Sequence, residues 1–438
     1  MTDYTVQEVL QFVEENDVKF IRLAFCDLFG TLKNIAIMKE ELPRAFASGI
    51  SFDASAIKGF MNVTESDLFL FPDPGTLSIL PWRPQQGRVV RMFCDIRHPD
   101  GQPFAGDGRQ YLKEVVERAR QRELVCKVGP ECEFYLFEAD ENGQPTRIPH
   151  DRAGYLDVAP LDKGENVRRE ICLTLEEMDI QPESSLHEQG PGQNEIDFRY
   201  SDALTAADQL VTFRSVVKAV ASRNGLYASF LPKPLEGQPG SGLHINMSLS
   251  HDGVNLFKNR EEGHSQIAES FLAGVLDHVR EMTAFLNPLV NSYSRLGQHE
   301  APGYITWSHQ NRSQLIRIPA AKGAYTRMEV RSPDPSCNPY FAIGLLLEAG
   351  LTGIEEQRKL PPATDMNLFT ASPEAVRGIP RLPQSLIEAV EVAQNSAFLE
   401  RVLPQQALRR YLEERLSDWR LYNSQQRDEI EQRLFETV

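Results

Sequence analysis

Apolar positions near the start of the chain recur at helical spacing: Val6, Val9, Leu10 and Val13 share one face, and the Thr5-x-x-Glu8 spacing before them predicts a capping box. The pattern then shifts to a period of two. KFIRLAFCDLFGTLKNIAI places Ile21, Leu23 and Phe25 on one side, breaks at Gly30 and resumes, which predicts a hairpin. TLSILPW and GRVVRMFCDI also read as strands, so this part of the chain predicts one helix on a small mixed sheet. HPDGQPFAGDGRQ, dense in Pro, Gly and Asp, predicts a linker and divides the chain into 1–103 and 104–438.

Beyond the linker, GRQYLKEVVERARQREL, NVRREICLTLEEMDI and ALTAADQLVTFRSVVKAVASRNG carry the helical period, the last stopped by Gly225. GPECEFYLF, GQNEIDFRY, SGLHINMSLS and TRMEVRS read as strands, and a helical tail is predicted from about Ser385. Helices and strands follow in an α+β order.

The strands carry polar residues where buried strands carry apolar ones. In GPECEFYLF, Glu131 and Glu133 point to one face while Cys132, Phe134 and Leu136 point to the other. Two like charges about 7 Å apart on one strand are costly unless something positive lies beside them. Glu188 on the loop SLHEQGPG, Glu195 in GQNEIDF, His244 in SGLHINMSL and Glu329 in RMEVR add to the pair. Five carboxylates and one imidazole suit magnesium or manganese better than zinc. The alternative for each residue taken singly is a solvated carboxylate on an edge strand, or a satisfied core histidine. Arg295, Arg312, Arg317, Arg327 and Arg331 bring forked guanidiniums into the same stretches, as a site for a triphosphate and a carboxylate substrate requires. Neither GxxxxGK[ST] nor GxGxxG occurs, so a nucleotide would bind in another manner.

The charge balance adds exclusions. A formal charge of −16, from 46 Lys+Arg against 62 Asp+Glu, disfavours non-specific nucleic-acid binding. The N-terminal stretch lacks the pattern of a secretory signal, and no run of about 18 apolar residues suits a bilayer. Six separated cysteines, with no CxxC, indicate neither a zinc site nor a disulfide framework and fit a reducing cytoplasm.

GPECEFYLF, LHEQGPGQNEIDF, KPLEGQPGSGLHINMSL, NSYSRL…EAP, NRSQLIRIP and RMEVRSPDPSCNPYFA resemble, in order and spacing, the motifs of type I glutamine synthetase. The likeness runs from SFDASAIKGF…ESDLFLFPD through AGLTGI. It implies a small N-terminal β-grasp domain, a larger catalytic domain with a curved antiparallel sheet, and a homo-oligomer of two stacked hexameric rings. It also implies ATP-dependent joining of ammonium to glutamate with Mg2+ or Mn2+. By motif match, Glu133, Glu188 and Glu195 would hold one metal, and Glu131, His244 and Glu329 a second. Arg295 and Arg331, with Gly240 nearby, would clamp glutamate; Arg312 and Arg317 would bind phosphate, and Glu300 would be the flap carboxylate that deprotonates the amine. Glu183, Asn246, Ser248 and Arg327 match ATP-contacting positions. Asp53, from the adjacent subunit, and Tyr155 would form the ammonium site with Glu188.

Three stretches depart from the family pattern. DGSS becomes Asp53-Ala54-Ser55-Ala56, NGSG becomes Pro239-Gly240-Ser241-Gly242, and the flap RLVPGYEAP becomes the shorter RLGQHEAP, with His299 before Glu300. All three surround the acceptor amine and the flap, which leaves a ligase for a small organic amine as the alternative. Phe369 stands where adenylylated members carry a tyrosine.

Overall fold

A computed structural model describes residues 4–83, 85–257, 264–321, 323–424 and 427–438; Met1–Asp3 of the predicted N-terminal helix segment lie outside the described residues. The first helix, α1 (Val6–Glu15), starts on the expected capping box: the Glu8 N–H donates to Thr5 Oγ1 at 3.3 Å and the Thr5 N–H donates to the Glu8 carboxylate at 2.7 Å. The hairpin β1 (Val18–Cys26) and β2 (Leu32–Met38) follows, then α2 (Leu42–Ser48), β3 (Ile50–Asp53), β4 (Asp67–Pro72), β5 (Ser78–Ile79) and β6 (Arg88–Arg97). The sheet order is β2-β1-β6-β4-β3 with β5 on β6, and β1 lies parallel to β6 while the other pairs are antiparallel. The expected mixed sheet is present. It carries a second helix, α2, and two strands, β3 and β4, that the pattern did not single out; TLSILPW pairs over Ser78–Ile79 alone.

The second part begins with α3 (Gly108–Arg120), whose Asp107 cap accepts from the Arg109 N–H. It continues with β7 (Val125–Ala139), β8 (Pro145–Pro149), α4 (Glu165–Glu176), β9 (Pro182–His187), β10 (Gln193–Phe198), β11 (Ser201–Asp202), α5 (Ala203–Arg223), β12 (Leu226–Ser229), β13 (Leu243–His251) and β14 (Val254–Asn255). Then come α6 (Gln266–Leu286), β15 (Trp307–His309), β16 (Ile316–Ile318), β17 (Met328–Val330) and α7 (Pro339–Glu355). The expected tail forms α8 (Leu386–Gln394), capped by Ser385, and then α9 (Ala397–Val402), α10 (Gln405–Tyr422) and α11 (Arg427–Thr437).

Strand β7 is the hub of this part. The sheet runs β15-β16-β17-β13-β7-β10-β9, and β8, β11 and β12 also pair along β7. Pairing is antiparallel except between β15 and β16. One face of β7 packs Phe134 against Phe213 of α5 and against Phe230, with ring centroids 5.9 and 5.8 Å apart. That burial anchors the strand to the helices. The opposite face is left for Glu131 and Glu133, and beyond them Tyr135 and Phe137 close a small apolar cluster with Leu231 and Phe435. A single larger core joins residues of β1 and β6 to those of β7, α5, α6 and α7.

Candidate active site

Cross-strand register assembles the site. On β7, Glu131 stands opposite His244 of β13 and Asp197 of β10, and Glu133 stands opposite Glu195. On β17, Glu329 pairs with Asn246 of β13 and Arg317 of β16. Three strands therefore bring one carboxylate row onto a common floor. Oxygen and nitrogen atoms of Glu131, His244 and Glu329 converge within 4.8 Å, as do those of Glu133, Glu195 and His244, and those of Glu131, Glu195 and Asp197. The solvated-edge alternative fails for these residues: Glu133, Glu195, His244 and Glu329 are buried.

A cavity of about 220 Å³ opens over this floor. Its walls include Glu131, Glu133, Tyr155, Glu188, Glu195, Gly240, His244, Arg295, Glu300, Arg312, Arg317 and Arg331, so most of the sequence-derived set lines one hollow. Asp197 and His299 line it as well. Glu329 lies beneath the surface at 0% exposure, held by Arg317 at 2.6 Å and by Arg331. Asn246 donates to Glu131 at 2.8 Å and accepts from Arg327 Nε at 2.8 Å, which ties this pair to the edge of the floor. Ser248 is further along β13 on the same face by alternation, outside the cavity lining. Glu183 is also outside it, at an irregularity where β9 slips by one residue against β10.

Asp53 is not among the cavity's walls. It is exposed at the end of β3, where its carboxylate accepts the Ser55 N–H at 2.9 Å and the Ser55 hydroxyl at 2.6 Å. The hydroxyl that remains in Asp53-Ala54-Ser55-Ala56 is thus committed to Asp53 itself.

Close approach explains the glycines beside Arg295. A Cβ on Gly240 would meet the Pro232 carbonyl oxygen at 2.3 Å and Arg295 Cγ at 3.0 Å, and one on Gly242 would meet Arg295 Nη2 at 2.6 Å. The absent side chains let the buried Arg295 guanidinium lie against the loop while it donates to the backbone carbonyls of Ser332, Pro333 and Arg331. The shortened flap closes on itself, with the Gly297 N–H donating to Ala301 O and the Ala301 N–H to Gln298 O. His299 and Glu300 both take left-handed backbone, φ +43° and +66°, a conformation sparsely used by residues with side chains. Arg331 donates to the Glu300 carbonyl at 3.4 Å, linking flap and floor.

Six carboxylates face four guanidinium groups in the cavity wall. The crowding shows in their proton affinities. Burial, and then the charge of Glu188, raises the Glu133 carboxyl to about 8. Burial and Glu131 raise Asp197 to about 6, and burial followed by Glu133 lifts Glu195 well above the ordinary range. Burial opposes the charge on Glu131, but His244, Asn246 and Arg317 outweigh it and hold that carboxyl low. A cluster of carboxylates that resists ionisation through burial first and mutual repulsion second is the electrostatic setting a divalent cation relieves. The donors, oxygen-rich with one imidazole, fit Mg2+ or Mn2+. A larger cavity of about 480 Å³, lined by Arg22, Arg83, Arg91, Arg214 and Lys218 and by no Asp, Glu or His side chain, lacks such ligands.

Comparison with known proteins bears on this geometry. The family model described as glutamine synthetase, catalytic domain, matches residues 105–434, and the one described as glutamine synthetase, beta-Grasp domain, matches 17–99. The chain belongs to the glutamine synthetase family. It is 48% identical to glutamine synthetase of Clostridium saccharobutylicum over 98% of each chain, and 48% identical to that of Methanosarcina mazei over 96% of this chain and 95% of the other. Glutamine synthetase of Staphylococcus aureus is 43% identical over 96% of each. Among solved structures, a GmaS–ADP complex aligns with a TM-score of 0.87 at 31% identity, covering 95% of this chain and 96% of that one. Apo GmaS without ligand aligns at 0.86 with the same identity and coverage.

Family membership accounts for the α+β architecture and for the expected small β-grasp part beside a larger catalytic part. Sequence reasoning missed Asp197, two residues after Glu195 and therefore on the same face of β10. The signal was present in NEIDF. It also missed Gln193, whose amide donates to Glu133 at 2.9 Å, and the buried Asp151 and His187 behind Glu188. No helix among the described residues is long and apolar enough to cross a membrane.

Proposed function

We propose that this chain joins ammonia to the side-chain carboxylate of L-glutamate at the expense of ATP, through a γ-glutamyl phosphate, giving glutamine, ADP and phosphate. The observation that carries the reading is the buried floor on which Glu131 and Glu133 belong to two different ligand clusters, walled by Arg295, Arg312, Arg317 and Arg331. Sequence identities of 43–48% to glutamine synthetases over nearly the whole chain support it. They do not favour the organic-amine alternative.

In this reading Glu133, Glu188 and Glu195 hold one Mg2+ or Mn2+, and Glu131, His244 and Glu329 a second. When bound, the ions supply charge neutralisation on the phosphate oxygens. Arg312 and Arg317 grip the phosphates as the γ-phosphoryl moves, and Glu183, Asn246, Ser248 and Arg327 contact ATP; the ADP in the GmaS complex supports a nucleotide on this fold. Arg295 and Arg331 orient glutamate beside Gly240. Ammonium carries no free electron pair, so Asp53, Tyr155 and Glu188 first attract it; Asp53 accepts one proton, leaving ammonia to attack the acyl phosphate, and Glu300 takes the second proton from the new amine as phosphate departs. Asp53, exposed at the end of β3 and outside this chain's own cavity wall, would be supplied by a neighbouring copy. The assembly is then a homo-oligomer, two stacked hexameric rings, working in the cytoplasm in nitrogen metabolism. Its domains divide near residue 104.

Phosphate release measured with glutamate, ATP and a panel of amines tests the reading. Release with ammonium, dependent on millimolar Mg2+ or Mn2+ and abolished by Glu131→Gln, is expected. Full activity in excess chelator would remove the metal assignment. A primary alkylamine used far more efficiently than ammonium at equal free-base concentration would replace glutamine synthesis with the amine-ligase alternative.

A further inference from the structure

Beside Glu188 and Tyr155, outside the cavity wall, three stretches of chain meet at one buried carboxylate. Asp151 Oδ1 accepts from His187 Nε2 at 2.9 Å, from the Gly192 N–H at 3.0 Å and from the Ala153 N–H at 3.4 Å, while Oδ2 accepts from the Lys163 N–H at 3.0 Å. His187, 1% exposed, uses its other nitrogen to reach the Glu188 carbonyl oxygen at 2.7 Å. Its own carbonyl accepts the Leu156 N–H at 3.0 Å, one residue beyond Tyr155, and the Glu188 N–H donates to Gln193 O at 2.8 Å. The chain from Asp151 to Leu156 and the turn from His187 to Gly192 are therefore stitched together through two side chains. Neither Asp151 nor His187 lines the cavity.

Asp151, Asp162 and His187 offer ligand atoms within 4.8 Å of one another, which is also the appearance of a metal site. Hydrogen bonding excludes that use. Both oxygens of Asp151 and both ring nitrogens of His187 are engaged, and Asp162 is held by Arg168 and by the Gly164 N–H. Arg168 also donates to Asn194 at 2.6 Å, whose amide returns to the Gly192 carbonyl at 2.9 Å, so the turn that follows Glu188 is tied down from a second direction.

We propose that Asp151 and His187 are positioning residues that set the spacing between Glu188 and Tyr155, and thereby tune the amine-binding end of the site more than the ATP contacts made from β13 and β17. The idea rests on the reading of Glu188 and Tyr155 as part of the ammonium site. Asn246 and Arg327, on β13 and next to β17, hydrogen-bond to Glu131 and to each other rather than to the pair, and Ser248 lies further along β13. A loosened brace changes the geometry of the acceptor cage while leaving those groups where they are.

The test measures kcat and the three Michaelis constants in the assembled enzyme at saturating Mg2+ for Asp151→Asn, His187→Gln and His187→Asn, with Glu188→Gln as the reference. Asparagine at 151 keeps the shape but sets an amide N–H against that of Lys163. Glutamine at 187 keeps a donor toward Asp151 and loses the one toward Glu188; asparagine at 187 does the reverse. The ammonium KM is expected to rise about 10- to 100-fold in all three variants, since each cuts or weakens one link of the brace, with the ATP KM within about threefold of the parent. A variant that lowers only kcat, or raises all three constants together, overturns the proposal, because that is how a merely structural lesion behaves. Should Asp151→Asn not assemble, the two His187 variants decide alone. If Glu188→Gln leaves the ammonium KM unchanged, the ammonium-site reading itself falls; if it raises that KM while Asp151→Asn and His187→Gln do not, the brace alone falls.

Discussion

Removing the divalent metal should make the protein less stable as the pH rises, opposite to the usual gain of stability when carboxylates ionise. Burial and the charge of Glu188 raise the Glu133 carboxyl from 4.5 to about 8. The sign follows from proton binding in the two states. Below the unfolded value both states hold the proton and nothing is lost. As pH climbs past it, the unfolded chain releases its proton while the folded one retains it, so unfolding is favoured increasingly until the folded group titrates near 8. At roughly 1.4 kcal/mol per unit, that window represents on the order of 4 kcal/mol, and Glu195, raised by burial and by Glu133, adds in the same direction. A bound cation compensates the ionised carboxylates and cancels the loss. Thermal melts of metal-stripped and Mg2+-loaded protein, taken at intervals from about pH 5 to about pH 8.5, read the effect directly. The gap between the two Tm values should be small at the acid end and widen to several degrees at the alkaline end. Glu133→Gln, which removes this raised carboxyl, should flatten the dependence in the stripped protein. A gap that stays constant across the range, or a stripped protein that gains stability toward alkaline pH, would refute the picture of carboxylates crowded on one floor.

Gly240→Ala should raise the KM for glutamate and cost about 1–3 kcal/mol of stability, because the new Cβ meets Pro232 O and Arg295 Cγ; steady-state kinetics and chemical denaturation measure both. Mixing inactive Asp53→Ala with inactive Glu329→Ala subunits under exchange conditions should restore part of the activity, and no recovery despite proven exchange would count against a site shared between copies. Phe369 is partly exposed but offers no oxygen to modify, so mass spectrometry of the 361–380 peptide should show no AMP.

Alternation along β7 was legible in GPECEFYLF, because which face a side chain takes is a local property of an extended chain: Glu131 and Glu133 together, Cys132 and Phe134 opposite. The capping box at Thr5 and Glu8 and the stop near Gly225 were legible for the same reason, since each depends on bonds within a turn or two. Resemblance carried the rest of the residue set, since its motifs kept their order along the chain. What the sequence did not contain is partner choice. That Glu195 faces Glu133 while His244 faces Glu131 is decided by register between strands more than sixty positions apart, and a slip of one residue would have turned either ligand to the helical side. Glu329 reads as one more strand carboxylate until β16 and β17 pair and Arg317 and Arg331 close over it. Asp151 and His187 carry no spacing that marks them, for they meet only when the segment after β8 is packed against the end of β9. Strand faces follow from local stereochemistry; the site's contacts follow from long-range packing, which only the folded chain brings about.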